Sequence, residues 1–189
     1  MSMLAIYSDD RPETPIEVLR DGDAIAGRLG AAGVRFERWA ARRSLADNAS
    51  QDEVLTAYAA EVERLKGEGG YRAVDVVRIP RGAKDTAPMR QKFLNEHVHS
   101  EDEVRFFVEG SGTFYLRLEG RVFMCLCERQ DLIGVPAGTR HWFDMGSEPW
   151  FCAIRLFIDP SGWVAQFTGD AIAARFPTHD AMRAAAVAA

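Results

Sequence analysis

Residues 95–110 read Asn-Glu-His-Val-His-Ser-Glu-Asp-Glu-Val-Arg-Phe-Phe-Val-Glu-Gly. His97 and His99 stand two apart, so in an extended strand both imidazoles leave the same face and can share one metal ion. Glu103 has the same parity, but a straight strand would carry it roughly 20 Å from His97 at about 3.3 Å per residue. The chain must therefore turn at Ser100-Glu101-Asp102, and Glu103 then opens an antiparallel strand that returns beside the histidines. A second segment, Gly134-Val135-Pro136-Ala137-Gly138-Thr139-Arg140-His141, places a third histidine just after a tight Pro-x-Gly turn. Three neutral imidazoles and one carboxylate suit divalent Fe, Ni, Mn, Co or Zn, with room for two more ligands in an octahedral shell.

Outward from this stretch the chain is β-rich. Short runs follow at 71–79, 90–99, 103–109, 112–118, 121–127, 131–136 and 150–158, with turns at Arg81-Gly82, Glu109-Gly110-Ser111-Gly112, Glu119-Gly120 and Pro136-Ala137-Gly138. Short strands at close spacing predict an all-β barrel or sandwich. The part before residue 71 is mixed. Residues 3–7 predict a short edge strand, and 9–15 a loop. Residues 16–32 predict a helix, and 34–40 a half-buried strand. Ser50-x-x-Glu53 is a capping box, followed by an apolar stripe at Val54, Leu55, Tyr58, Val62 and Leu65 and by Gly67, Gly69 and Gly70. That predicts a helix to about residue 66. No linker divides the chain. The expectation is one domain over 1–180, with a helical segment at about 15–70, a β-barrel at about 71–158 and a loose Ala-rich tail at 181–189.

Composition narrows the function. The 189 residues carry a net charge of −5, which weighs against a nucleic-acid surface. No apolar run approaches a membrane span, and Met1 to Asp10 carries no basic, apolar leader, so no signal peptide is expected. Three cysteines argue for a reducing, cytoplasmic setting. Cys125, Cys127 and Cys152 read as core residues. Of only four histidines, His179 stands alone in the tail and reads as an ordinary residue.

The two histidine segments resemble the two motifs of the cupin superfamily. Residues 96–110 and Val135-Pro-Ala-Gly-Thr-Arg-His-Trp-Phe-Asp-Met-Gly146 are similar, more specifically, to the acireductone dioxygenase family of methionine salvage. Val34-Arg-Phe-Glu-Arg-Trp39, Ser50-Gln-Asp-Glu53, Ala153-Ile-Arg-Leu-Phe157 and Gly162-Trp-Val-Ala-Gln-Phe-Thr-Gly169 extend the likeness from about residue 6 to 177. The resemblance implies a mainly β, single cupin (jelly-roll) barrel with added N-terminal helices. It implies one Fe(II) or Ni(II) held by His97, His99, Glu103 and His141, with O₂ as co-substrate. The implied substrate is the small molecule acireductone, cleaved to formate and 4-methylthio-2-oxobutanoate with Fe, or to formate, CO and methylthiopropionate with Ni. It implies a monomer. A different cupin enzyme, or a cupin that only binds metal or a small ligand, are the rival readings.

An enediol substrate reacts as its dianion, which a nearby cation favours. Arg105 shares the parity of Glu103 and faces the metal side, where the resemblance also gives it that task; the alternative is a surface arginine on an edge strand. Val104, Phe106 and Val108 face the other layer, and Phe107 can wall the pocket. Arg155 sits in the apolar run Phe151-Cys-Ala-Ile-Arg-Leu-Phe-Ile158, where a charge needs a cavity or a partner. Substrate binding and a buried ion pair stand equal for it. Phe93, Trp142 and Phe143 flank the ligand histidines as pocket walls or plain core. Glu96 and Asp102 are acidic loop residues, to which the resemblance gives metal loading and the relay of a local structural change.

Overall fold

A computed structural model describes residues 1–39, 45–159 and 164–188. Ala40 at the end of one expected strand, and Gly162 and Trp163 of the resemblance, lie outside them. In chain order the elements are β1 (Met3–Ser8), β2 (Glu17–Leu19), α1 (Gly22–Gly30), β3 (Arg35–Arg38), α2 (Gln51–Ala57), α3 (Ala59–Gly69), β4 (Ala73–Ile79), α4 (Ala87–Phe93), β5 (His97–Val98) and β6 (Glu103–Leu118). There follow β7 (Arg121–Glu128), β8 (Asp131–Val135), β9 (Arg140–Asp144), β10 (Phe151–Phe157), β11 (Gln166–Phe167), a 3₁₀ turn (Ile172–Arg175) and α5 (His179–Val187). All pairings are antiparallel, and the protein is a mainly β cupin-type barrel with added helices.

β6 organises the barrel. Its first half pairs with β8 and β10 and its second with β7 and β9, so one strand belongs to both sheets. The expected turn at 109–112 is instead a bend within this strand. Gly110 has φ +70°, and a Cβ there would lie 1.9 Å from the Trp150 carbonyl oxygen, so only glycine lets the two backbones cross. β6 reads as a nearly continuous apolar run because both of its faces are covered. Phe107, Phe114 and Leu116 fill the barrel interior together with Cys125, Cys127 and Phe143. Val104, Phe106 and Val108 point the other way, as expected, onto α2, α3 and Trp39. Trp39 stacks on Phe106 with ring centroids 3.9 Å apart. Tyr115 faces outward from the second sheet and stacks on Trp142 at 5.0 Å, under Phe176 and Met182.

Several expectations change. Of the stretch 181–189 expected to be a loose tail, the described residues to 187 belong to α5, which is capped by the Thr178 side chain and buries Met182 and Ala186 against the sheet. β1 is no edge strand, because it pairs with β7 on one side and β2 on the other. The helix of 16–32 starts only at Gly22, where Asp21 caps it, and 17–19 form the edge strand. The helix after Ser50 keeps its capping box but breaks at Tyr58 and then runs on to Gly69. Residues 90–99 are mostly helix α4 and a loop, with strand only at His97–Val98. No helix among the described residues is long and apolar enough to cross a membrane.

Candidate metal centre

His97 on β5 pairs directly with His141 on β9, so two of the histidines are neighbours in one sheet. Glu103 arrives from the other sheet, opposite Val135 of β8, and meets the histidines across the barrel mouth rather than beside them in one sheet. Two hydrogen bonds clasp the two histidine segments together. Gly138 N–H donates to the His99 carbonyl at 2.8 Å, and Ala137 N–H to Asp102 Oδ1 at 2.9 Å. One donor atom from each of His97, His99, Glu103 and His141 lies within 4.8 Å of the others, and all four residues are buried.

The hydrogen bonds decide which nitrogens face the centre. His97 Nδ1 donates to the Asn95 carbonyl at 2.7 Å and His141 Nδ1 to the Thr139 carbonyl at 2.8 Å. A neutral ring that donates at Nδ1 has a bare lone pair at Nε2. His141 Nε2 then faces Glu103 Oε2 at 2.8 Å, and His99 Nε2 lies 3.4 Å from the same oxygen. Lone pairs aimed at an ionised carboxylate repel unless a cation sits among them. Burial lowers the pKa of His97 to about 4, and the neighbouring His141 adds to this, so that imidazole stays neutral at ordinary pH. Burial pushes the Glu103 pKa up, but the Arg105 charge outweighs it and holds it well below the usual carboxylate range. Neutral imidazoles and an ionised carboxylate around one point fit a divalent metal.

Behind Glu103 the cavity is cationic and aromatic, with a volume near 650 Å³. Arg105 Nη2 lies 2.6 Å from Glu103 Oε1, and its guanidinium sits 4.9, 5.4 and 6.0 Å from the rings of Phe143, Phe114 and Phe93. Burial lowers its pKa, and the Glu103 charge opposes this. Arg155 stands directly opposite Arg105 on β10 and Asp75 opposite Arg155 on β4. Arg155 donates twice to Asp75, at 2.8 and 2.5 Å, in an ion pair that is partly exposed rather than buried, and it also lines the cavity.

Of the expected wall, Phe93 and Phe143 line the cavity. Trp142 does not: its strand parity turns it outward against Tyr115 and Phe176. Phe107 shares the inner face but lies deeper in the barrel, against Phe151. Glu96 is a loop residue, as expected. It is buried, accepts from Thr168 Oγ1 at 2.6 Å, and so fastens the strand of Phe167 beside His97. Asp75, Lys92, Phe157, Val164, Ala165 and Phe167 complete the cavity, beyond the walls expected from the sequence. Asp75 carries the signal that marked Arg155, a charge within an apolar strand; Phe167 carries none.

The ARD/ARD′ family model matches residues 3–165. Acireductone dioxygenases from Parvibaculum lavamentivorans and Pseudomonas aeruginosa are each 58% identical over 177 residues, covering 94% of this chain and 96% and 98% of theirs. That of Synechococcus is 56% identical over 178 residues, covering 94% of this chain and 98% of its own. A solved acireductone dioxygenase from Bacillus anthracis, with a cadmium ion in its active centre, superposes with a TM-score of 0.78 at 27% identity. The match covers 88% of this chain and 98% of that one.

Proposed function

This chain belongs to the ARD/ARD′ family of acireductone dioxygenases, and on that footing we propose that it cleaves acireductone with O₂ at a divalent metal held by His97, His99, Glu103 and His141. It is a metal-dependent dioxygenase of methionine salvage. The observation that carries the ligand assignment is the buried four-donor cluster, in which two Nδ1–carbonyl bonds turn Nε2 inward.

Held by His97, His99, Glu103 and His141, a divalent ion would supply Lewis-acid charge that favours the enediolate. The protein supplies the rest. Arg105 adds a fixed positive charge that favours the substrate dianion, and Glu103 and the rings of Phe143, Phe114 and Phe93 hold that charge in place. Arg155, oriented by Asp75, offers a second cationic contact at the cavity wall. Phe93 and Phe143 exclude water and receive the methylthio tail. Glu96 keeps the His97 strand ready for metal, and Asp102 couples the two histidine segments.

With Fe(II) loaded, formate and 4-methylthio-2-oxobutanoate would be the products, and with Ni(II) loaded, formate, CO and methylthiopropionate. The enzyme works in the cytoplasm as a monomeric single cupin unit; light scattering near 21.0 kDa tests the monomer. The decisive experiment supplies acireductone and O₂ to protein loaded with Fe(II). Formate and the keto acid are expected, and their absence sinks the proposal in favour of a binder or another cupin activity.

A further inference from the structure

α4 has little to hold it. It is seven residues long, none of them buried, and its N-cap Thr86 makes no side-chain hydrogen bond. A helix this short is marginal alone. Yet its last residue is Phe93, whose ring meets Phe143 edge-on at 6.4 Å and forms part of the metal cavity. The anchor is Arg90, which donates to Asp144 twice, Nε to Oδ1 at 2.7 Å and Nη2 to Oδ2 at 3.0 Å. Asp144 is buried, three residues beyond His141, and accepts two more bonds. Gly146 N–H donates to Oδ1 and His179 N–H to Oδ2, each at 2.9 Å. Burial raises the Asp144 pKa, but Arg90 and the two amides outweigh it and keep the carboxylate ionised.

His179 begins α5 and is itself fixed. Its Nδ1 lies 2.8 Å from Thr113 Oγ1 and its Nε2 3.3 Å from Ser111 Oγ, both on β6. Gly146 has φ +88°, and a Cβ there would lie 2.8 Å from the His179 ring, so the contact between the β9 end and α5 has no slack. α5 lies beyond residue 165, where the family match ends.

We propose that Asp144 is a positioning residue that locks α4, and with it the Phe93 wall of the metal cavity, to the C-terminal helix α5. A helix that contributes no metal donor then sets the shape of the site. The consequence for turnover rests on the acireductone reading; the lock itself does not.

Hydrogen exchange on the full-length protein tests the lock directly. In Asp144→Asn the amides of residues 89–94 should exchange at least tenfold faster than in the unaltered protein, with those of α3 within twofold. Arg90→Gln should do the same, and the double variant should add nothing, because both changes break one contact. His179→Ala should also speed α4 at least fivefold, and it and Arg90→Gln carry the test if Asp144→Asn does not fold. Unchanged exchange in α4, or additive effects in the double variant, overturns the proposal. With acireductone, Asp144→Asn should raise KM at least threefold and leave kcat within twofold; a fall in kcat at constant KM overturns it. An unaltered enzyme that ignores acireductone would defeat the function proposed above and leave the exchange result standing.

Discussion

His97 and His141 of the metal centre each have one task per nitrogen. Nδ1 of His97 and of His141 binds a backbone carbonyl, so Nε2 is fixed as the donor before any metal arrives. His97→Ala should therefore drop bound metal from near one per chain to below about a tenth, read by elemental analysis; stoichiometric metal in that variant would refute the ligand set. His179 shows the opposite use of the same side chain. Burial lowers its pKa from 6.5 to about 4. Between those values the unfolded chain takes up a proton that the folded chain refuses, so stability rises with pH across that window and is fully recovered above it. The gap is worth about 3 kcal/mol. Urea midpoints of metal-free protein between pH 4.5 and 7 should show this slope added to that of His97, which burial shifts alike, and His179→Gln should remove its own share; an unchanged slope would count against a neutral buried imidazole at His179. The metal-donor histidines were legible because spacing and strand parity alone bring them together. The outward turn of Trp142 follows from the same parity, since His141 faces the centre and its neighbour cannot. Phe167 was invisible, because it reaches the cavity only through a two-residue strand paired to distant His97.

At the level of elements, local signals were read well where they are self-contained. The Ser50–Glu53 capping box is present with both reciprocal bonds, and Ser50→Ala should cost about 1 kcal/mol in thermal or urea unfolding. α4 was misread as strand because its seven residues bury nothing and so show no helical stripe; its place comes from Arg90 reaching Asp144. α5 carries little signal in the sequence because alanine is a weak hydrophobic marker, and its buried residues are His179, Met182 and Ala186. Glycine marks a turn and a bend alike, so the residues at 109–112 do not tell the bend in β6 from a turn. Gly110→Ala should destabilise the protein by about 3 kcal/mol, combining a left-handed backbone with a clash against Trp150. A change under about 1 kcal/mol would mean that the two backbones can part cheaply.

For the molecule as a whole, the three packed regions meet in β6. The barrel interior, the α2–α3 layer and the α5 layer all draw residues from it. Metal binding at one mouth should therefore steady all of them. Free metal at about a hundredfold over its Kd should add about 2.7 kcal/mol, and a chelator should remove it, seen as a lower Tm in calorimetry. No shift on stripping would mean that the donor cluster is as stable empty as filled. β6 also has a meaning for heredity. It is sixteen residues with a ligand at its first position and the crossing glycine at its eighth. Gain or loss of one codon between them would turn Glu103 to the wrong face or pull Gly110 off the crossing. Length changes should therefore be tolerated at the loops and not between Glu103 and Gly110, which makes this strand a ruler of one fixed length.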